Sequence, residues 1–385
     1  MGRVLPRRLS RPSWPALIWV GIAVLALVAS ALLAASSDSA NTDVRTAAEQ
    51  PASSGEQLPD QLSPLWSAQA SVDEQRSVAS NTVITSSRRG VRGLDPVTGQ
   101  EHWHYLRSTA TMCDFSVLAD VVVAIFRTTG RCNEAVALEA GTGVRRWYRN
   151  VGFSERLHML GSGTAALAAT PDGIAVLDGV GNSIRWRYNP PQGCELSSIG
   201  MGNTGVVVLE RCQTGTTWLA EFDLYSGDQQ WRVAPPAGDV TVVGADGVVS
   251  LLVGQQLMIL SAGSGAVLSI MTTEAEVGST KAALFAGQPG SRGVPLVFVG
   301  GMLYAIDPSS GTELWSVAAT GVPATSDFGL VVPEDGGFVR RNSLTGEELG
   351  RSVLTGDGAI VDLTRIEQAG TTLIAVTPES LAAYG

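Results

Sequence analysis

His102 and His104 flank Trp103, and on a strand that spacing points both imidazoles to one side, where they could begin a metal site. The third and last histidine, His158, lies a repeat further on, so the pair reads as surface or packing residues. Asp95, Asp178, Asp223 and Asp307 recur in one local frame and could hold a cation. Four cysteines, Cys113, Cys132, Cys194 and Cys212, have no C-x₂-C spacing, which argues against zinc. No G-x-S-x-G, P-loop or H-E-x-x-H motif is present, and the Gly-rich "GSGTAAL" at 161–167 sits in a strand–turn–strand context that makes it a turn. What these groups do depends on the elements that hold them.

Those elements repeat. "LDPVTGQEHW" (94–103) returns as "LEAGTGVRRW" (138–147), "LDGVGNSIRW" (177–186), "FDLYSGDQQW" (222–231) and "IDPSSGTELW" (306–315), with worn copies at 260–269 and 341–350. Asp95 can accept hydrogen bonds from the next backbone amides, and Gly99 suits the positive-φ position that closes a hairpin loop. Gly143, Gly227 and Gly311 occupy the same place, and Asn182, which tolerates that conformation after Gly, stands there in the third copy. The repeated acids are thereby explained as turn formers. Two short β-rich runs precede each turn, so each repeat is a four-stranded meander ending in Trp103, Trp147, Trp186, Trp231 or Trp315.

The Trp-equivalent positions 103, 147, 186, 231, 269, 315 and 350 are spaced by 44, 39, 45, 38, 46 and 35 residues. A period near 40 with four strands per unit predicts an all-β propeller whose blades cover one another. "SPLWSAQ" (63–69) carries Trp66 with no turn ahead of it, and the C-terminal "TLIAVTPESLAAYG" stops before any turn or Trp. Pairing the two closes the ring without an open edge and predicts eight blades, or seven if they do not pair.

The "LYAIDPSSGTELW" form of the repeat resembles the pyrroloquinoline-quinone (PQQ)-like repeat, over about residues 63–385 and at least five good copies. That family includes quinoprotein dehydrogenases and the non-enzymatic, BamB-like propellers of outer-membrane β-barrel assembly. The dehydrogenase branch implies long insertions, a vicinal Cys-Cys disulfide and calcium ligands, none of which this sequence has. The expectation is therefore no cofactor, no metal and no catalytic residue. The BamB-like branch implies a scaffold that binds an envelope protein. A sensory propeller recognising a cell-wall glycan or small molecule is the alternative reading.

The N-terminus adds a location. Arg3, Arg7, Arg8 and Arg11 precede an uncharged run, 16–35, close to the ~20 residues that span a bilayer core. By the positive-inside rule, 1–15 is a cytoplasmic basic N-terminus, 16–35 a signal anchor in a bacterial cytoplasmic membrane, and the rest extracytoplasmic. Cleavage as a signal peptide is the other possibility. Residues 36–62 hold few bulky apolar side chains and read as a flexible linker, with the propeller at 63–385. Removing the four arginines from a net charge of −10 leaves −14 on residues 36–385, which excludes nucleic acid as a partner.

The cysteines fit an exported domain. Cys113 and Cys132 flank a blade's first two strands, as do Cys194 and Cys212, and antiparallel pairing brings these ends together. Cys113–Cys132 and Cys194–Cys212 are the expected disulfides among three connectivities. In a propeller the Asp–Gly turns share one face, and the second-to-third-strand hairpins share the other. The expected disulfides and Arg88, Arg89, Arg127, Arg131 and Arg211 fall on the hairpin face, which makes these arginines candidate partner contacts. A linker arriving at Trp66 would put the Asp–Gly face nearest the membrane.

Overall fold

The computed structural model describes residues 14–35, 41–52, 57–73, 75–128, 130–154, 156–275, 282–285, 293–326, 329–355 and 360–385. The four N-terminal arginines and parts of the expected linker (36–40, 53–56) lie outside them. A 22-residue helix, Trp14–Ala35, is followed by eight antiparallel sheets. Among the described residues no helix is long and apolar enough to cross a membrane.

The sheets are eight propeller blades. Blades 1 to 7 occupy 78–107, 111–153, 158–188, 194–233, 240–272, 282–318 and 324–354, and blade 8 combines 365–384 with Pro64–Ala68. Pro64–Ala68 pairs antiparallel with Leu381–Tyr384, so the first segment of the ring supplies the outer strand of the last blade. Ser63 N donates to Gly385 O and Gly385 N to Ser63 O, which closes the place where other blades carry their last turn.

Apolar burial is divided among eight clusters, one in each gap between neighbouring blades. The repeat builds these gaps. In blade 1, Val97 N and Thr98 N donate to Asp95 Oδ1, and Gly99 N donates to Asp95 O. Gly99 has φ of 68° and Asn182, in the same place, 50°. One bulged residue then precedes the Trp position in blades 1 to 7, His102 in the first and Arg146 in the second.

Each indole bonds to the next blade. Trp103 Nε1 donates to Ala140 O at 2.9 Å, Trp147 to Gly179 O at 2.8 Å, Trp186 to Leu224 O at 2.9 Å and Trp231 to Ala262 O at 2.7 Å. Trp315 donates to Ser343 O and Trp66 to Pro96 O, both at 2.9 Å. For every indole but Trp147, whose neighbouring turn carries Asn182, the ring lies on the glycine of that turn, and a Cβ on Gly143 would come within 2.6 Å of Trp103. Two interfaces differ. Between blades 5 and 6, Ser269 Oγ donates to Gly311 O in place of an indole. Between blades 7 and 8, Gly350 takes the Trp position and Leu62, fully buried, packs into the gap with Phe338, Ile366 and Leu373.

The expected flexible linker is corrected by these contacts. Thr42–Arg45 adds a fifth strand to the outside of blade 1, and Gln61–Leu62 adds one, in parallel, to blade 7. Between them Ala47 N donates to Thr142 O, and Asn81 Nδ2 to Ala52 O. A reading based on apolar content missed this strap because it is held mainly by backbone hydrogen bonds to exposed sheet edges; Pro51 and Leu62 are its buried side chains.

Two measurements test this packing. Gly143→Val meets both backbone strain and the Trp103 ring, whereas Gly130, with φ of 81° and nothing within 4 Å of a new Cβ, meets strain alone. Gly143→Val should destabilise by roughly 3–5 kcal/mol against roughly 1–3 for Gly130→Val in urea titrations; equal losses would contradict the stacking. The second concerns Glu221, which is buried with no partner for Oε2. Desolvation, with Asp223 adding to it, pushes Glu221 up to about 7. A carboxyl raised in the fold contributes stability below its unfolded value that is lost as pH rises through the folded one. Glu221→Gln should therefore match the parent near pH 4 and exceed it by on the order of 2–3 kcal/mol near pH 9.

Candidate interaction surface

Outer strands run toward the hairpin face, so the connections to the next blade also emerge there. Arg88 and Arg89 form the blade-1 hairpin turn between Thr82–Ser87 and Gly90–Leu94, and Arg127 and Arg131 flank the blade-2 hairpin. Backbone contacts join the two hairpins: Arg107 N donates to Arg89 O, Met112 N donates to Arg88 O, and Thr111, beside Met112, pairs with Arg127. Arg88, Arg89 and Arg131 are exposed and Arg127 is half-buried. Arg211 stands apart on blade 4, 3.9 Å from Asp239. The five expected arginines therefore divide into one group of four and one outlier.

Both expected disulfides are present. Cys113 sits at a bulge of the blade-2 inner strand and Cys132 at the start of the third strand rather than past the end of the second, while Cys194 and Cys212 face each other across the first two strands of blade 4. Buried ion pairs tie the same hairpin face together. Arg107, at the end of blade 1, pairs with Glu134 of blade 2 and lies over the Phe126 ring. Fully buried Glu210 of blade 4 accepts from Tyr188 of blade 3 and from Arg232. Burial, reinforced by Glu210, raises the Tyr188 phenol well above its ordinary value.

The histidines have a structural task. His102 Nε2 lies 2.7 Å from Glu49 O, and His104 bridges Glu101 at 2.7 Å and Asp43 at 3.2 Å, so both clasp the strap to blade 1. Burial pulls the His104 imidazole down, but the two carboxylates outweigh it and hold it above its usual value. Among the described residues no three His, Cys, Asp or Glu side chains gather as metal ligands.

The axis holds a polar group that sequence reading missed. Asp73 and Gln75 lie between Ser71, which pairs with Ser86, and Val78 of the inner strand of blade 1. Asp73 Oδ2 accepts from Val117 N of blade 2, Gln75 Oε1 from Gly161 N of blade 3, and Asp73 O from Arg365 of blade 8. Glu367 accepts from Ser77 N, Val78 N and Arg365 Nε. Desolvation lifts Asp73 to about 6 against the three amides and Arg365 that pull it down. Asp73 and Arg365 lie 292 residues apart outside the repeat frame, and nothing in their spacing links them. A shallow cleft opens elsewhere, over Gly350 between blades 7 and 8, lined by Leu58, Asp60, Phe338, Arg340 and Gln368.

Residues 131–275, spanning most of blade 2 to the end of blade 5, match a family model described as "Outer membrane protein assembly factor BamB". Over these residues, blades 2 to 5 of the propeller, the chain is similar to the PQQ-like repeat family. No curated protein matches it. Among solved structures, the PQQ-like propeller is similar to the computationally designed Ika8 protein, at 15% identity and TM-score 0.57 over 85% of this chain and 99% of that one. It is similar to the C-terminal WD40 domain of Sif2, at 8% identity and TM-score 0.50 over 86% and 99%. BamB from Moraxella catarrhalis aligns at 19% identity and TM-score 0.47 over 84% and 99%. At these identities the structures speak for the propeller fold alone.

The staples give the hairpin face a measurable property. The double variant Cys194→Ser/Cys212→Ser should lose about 3 kcal/mol of unfolding free energy, as for closure of a loop of this size, whereas Arg211→Glu should change it by less than about 0.5 kcal/mol. Denaturation of both variants checks this; an unchanged double variant would mean that the hairpin is held without its disulfide.

Proposed function

We propose that this PQQ-like propeller is a protein-binding scaffold or assembly factor of the bacterial cell envelope, held at the cytoplasmic membrane by its N-terminal helix with the ring on the extracytoplasmic side. The match of residues 131–275 to a model described as an outer membrane protein assembly factor carries the reading. Two disulfides support an exported ring. For the anchor, Trp14–Ala35 has no charged residue and its described apolar side chains from Ile18 to Val28 are exposed.

The partner's face follows from the chain path. Asn41, the first described residue after the helix, accepts from Ser108 N at the start of the connection from blade 1 to blade 2, on the hairpin face. In our reading the hairpin face, not the Asp–Gly face expected from a linker arriving at Trp66, lies nearest the membrane, because the strap carries the chain across blade 1 before it reaches Trp66. In our reading the partner meets the Asp–Gly face. There Val97, Val180, Tyr225 and Leu344 occupy equivalent turn positions with their side chains about half exposed. Arg88, Arg89, Arg127, Arg131 and Arg211 lie on the opposite side, so this reading places the partner away from them.

Photo-crosslinking residues substituted at Val97, Tyr225 and Arg211 of the full chain, in the native envelope, test this. One discrete protein adduct from Val97 and Tyr225, absent from Arg211, is expected. An adduct from Arg211 alone would move the partner to the hairpin face. Dye-linked alcohol oxidation after addition of pyrroloquinoline quinone and calcium would replace the scaffold by an enzyme.

A further inference from the structure

We infer that the arginine rim of blades 1 and 2 is a docking surface for an anionic lipid bilayer, so that the propeller lies against the membrane that its own helix enters. This rests on the anchored reading above and adds the surface by which the ring meets the bilayer.

Three observations converge on the rim. The first is continuity: Ser108 N binds Asn41 O, the adjacent Arg107 N binds Arg89 O, Met112 N binds Arg88 O, and Thr111 pairs with Arg127, itself opposite Cys132 next to Arg131. The point where the chain arrives from the helix and four basic side chains thus share one edge. The second is charge. None of Arg88, Arg89, Arg127 and Arg131 has a carboxylate within 4.0 Å among the described residues, whereas neighbouring Arg107 is paired with Glu134. Four unneutralised cations stand together on a chain that carries net −14 from residue 36 onward, after the four N-terminal arginines are removed from −10. The third is reach. Six Cα–Cα steps join Ala35 to Asn41, so Asn41, which adjoins the rim through Ser108, can stand no further than about 20 Å from the helix end. The strap removes the longer tether that a free 36–62 segment would have given: Thr42–Arg45 is paired to blade 1, and His104 locks Asp43 in place.

A bilayer suits this edge better than a protein partner. Basic side chains next to a membrane-entering segment are drawn to anionic headgroups, and the attraction fades within a Debye length of about 8–10 Å, a distance inside the reach of so short a connection. The rim's cations come from turns of two rigid hairpins, one of them closed by Cys113–Cys132, so they present fixed charge to a surface that is itself adaptable.

The full chain is reconstituted into vesicles of phosphatidylcholine alone or mixed with phosphatidylglycerol, with quencher-labelled headgroups. A fluorophore is attached through Ser87→Cys on the rim or Ser309→Cys on the opposite face. Quenching at Ser87 several-fold above that at Ser309 in the anionic vesicles is expected. It should collapse in high salt and in the variant Arg88→Gln/Arg89→Gln/Arg131→Gln, which changes exposed residues only and leaves half-buried Arg127 to its packing. Equal quenching at both sites, greater quenching at Ser309, or Ser87 quenching that survives the triple variant would overturn the proposal. Alkaline carbonate extraction reports separately on the helix. If extraction strips the protein, the anchor fails while flotation still decides the rim: flotation with anionic but not neutral vesicles, lost in the triple variant, upholds it, and no flotation overturns it.

Discussion

The ring depends on one contact, the indole N–H of a blade's outer strand donating to a turn carbonyl of the next blade. A four-stranded blade has two apolar faces and cannot bury either alone, so stability lives in the gaps. Trp contributes the largest apolar area of any side chain to such a gap, and its single polar atom needs a partner when buried. The neighbouring turn supplies both needs: a carbonyl three residues before the positive-φ position, and, where that position is glycine, a surface flat enough for the ring to lie on. The Asp that organises the turn, the glycine at positive φ and the tryptophan of the preceding blade therefore form one inter-blade joint, although the sequence writes them as a unit within each repeat.

The one joint that lacks both the Trp and a hydroxyl substitute is where the chain closes on itself. Gly350 has no side chain to offer, and a tryptophan there would compete for the space that Leu62 fills. The same stretch of backbone pairs Gln61–Leu62 with the outer strand of blade 7 and then hands Ser63 to Gly385. Closure is thus a relay of three short contacts spread over two blades. The strap extends the relay backward to blade 1, which means that pulling on the N-terminal helix loads the outer edges of blades 1 and 7 before it reaches the velcro strand Pro64–Ala68.

What the sequence made legible were features enforced at every repeat. The constant Asp-to-Trp offset predicted the turns, the period predicted propeller blades, the orphan Trp66 segment predicted the eighth, and cysteine positions relative to the strands predicted both disulfides. What it hid were contacts made once. The bulge before each Trp leaves no residue signature, since His102, Arg146, Arg185, Gln230 and Leu268 occupy it in turn. The strap was invisible because backbone amides bind a sheet edge whatever the side chains, and with it went the orientation of the ring. The arginines were recognised as lying on one face, but their division into a rim of four and a separate Arg211 follows from hydrogen bonds between hairpins, which spacing does not encode.

The axis gives a physical reason for proposing recognition at the rims. Inner strands leave a ring of amides with no neighbour strand to accept them, an edge that must be satisfied or hydrated. Here side chains from other blades take that role: Asp114 accepts from Met159 N, Ser198 from Val242 N, Asp73 from Val117 N and Gln75 from Gly161 N, while Glu367 accepts from two amides of blade 1. A ligand entering past blades 1, 2, 3 and 8 would have to displace carboxylate bonds each contributing about 1.5–3 kcal/mol and then pair the same buried groups again. The gain from burying a small molecule there would first have to exceed that loss. Loops on either face carry no such cost, because their backbone is already satisfied by turns and their side chains are free to meet a surface. The two proposed surfaces, the repeated turns on one face and the basic hairpins on the other, thus lie where binding displaces no buried hydrogen bond.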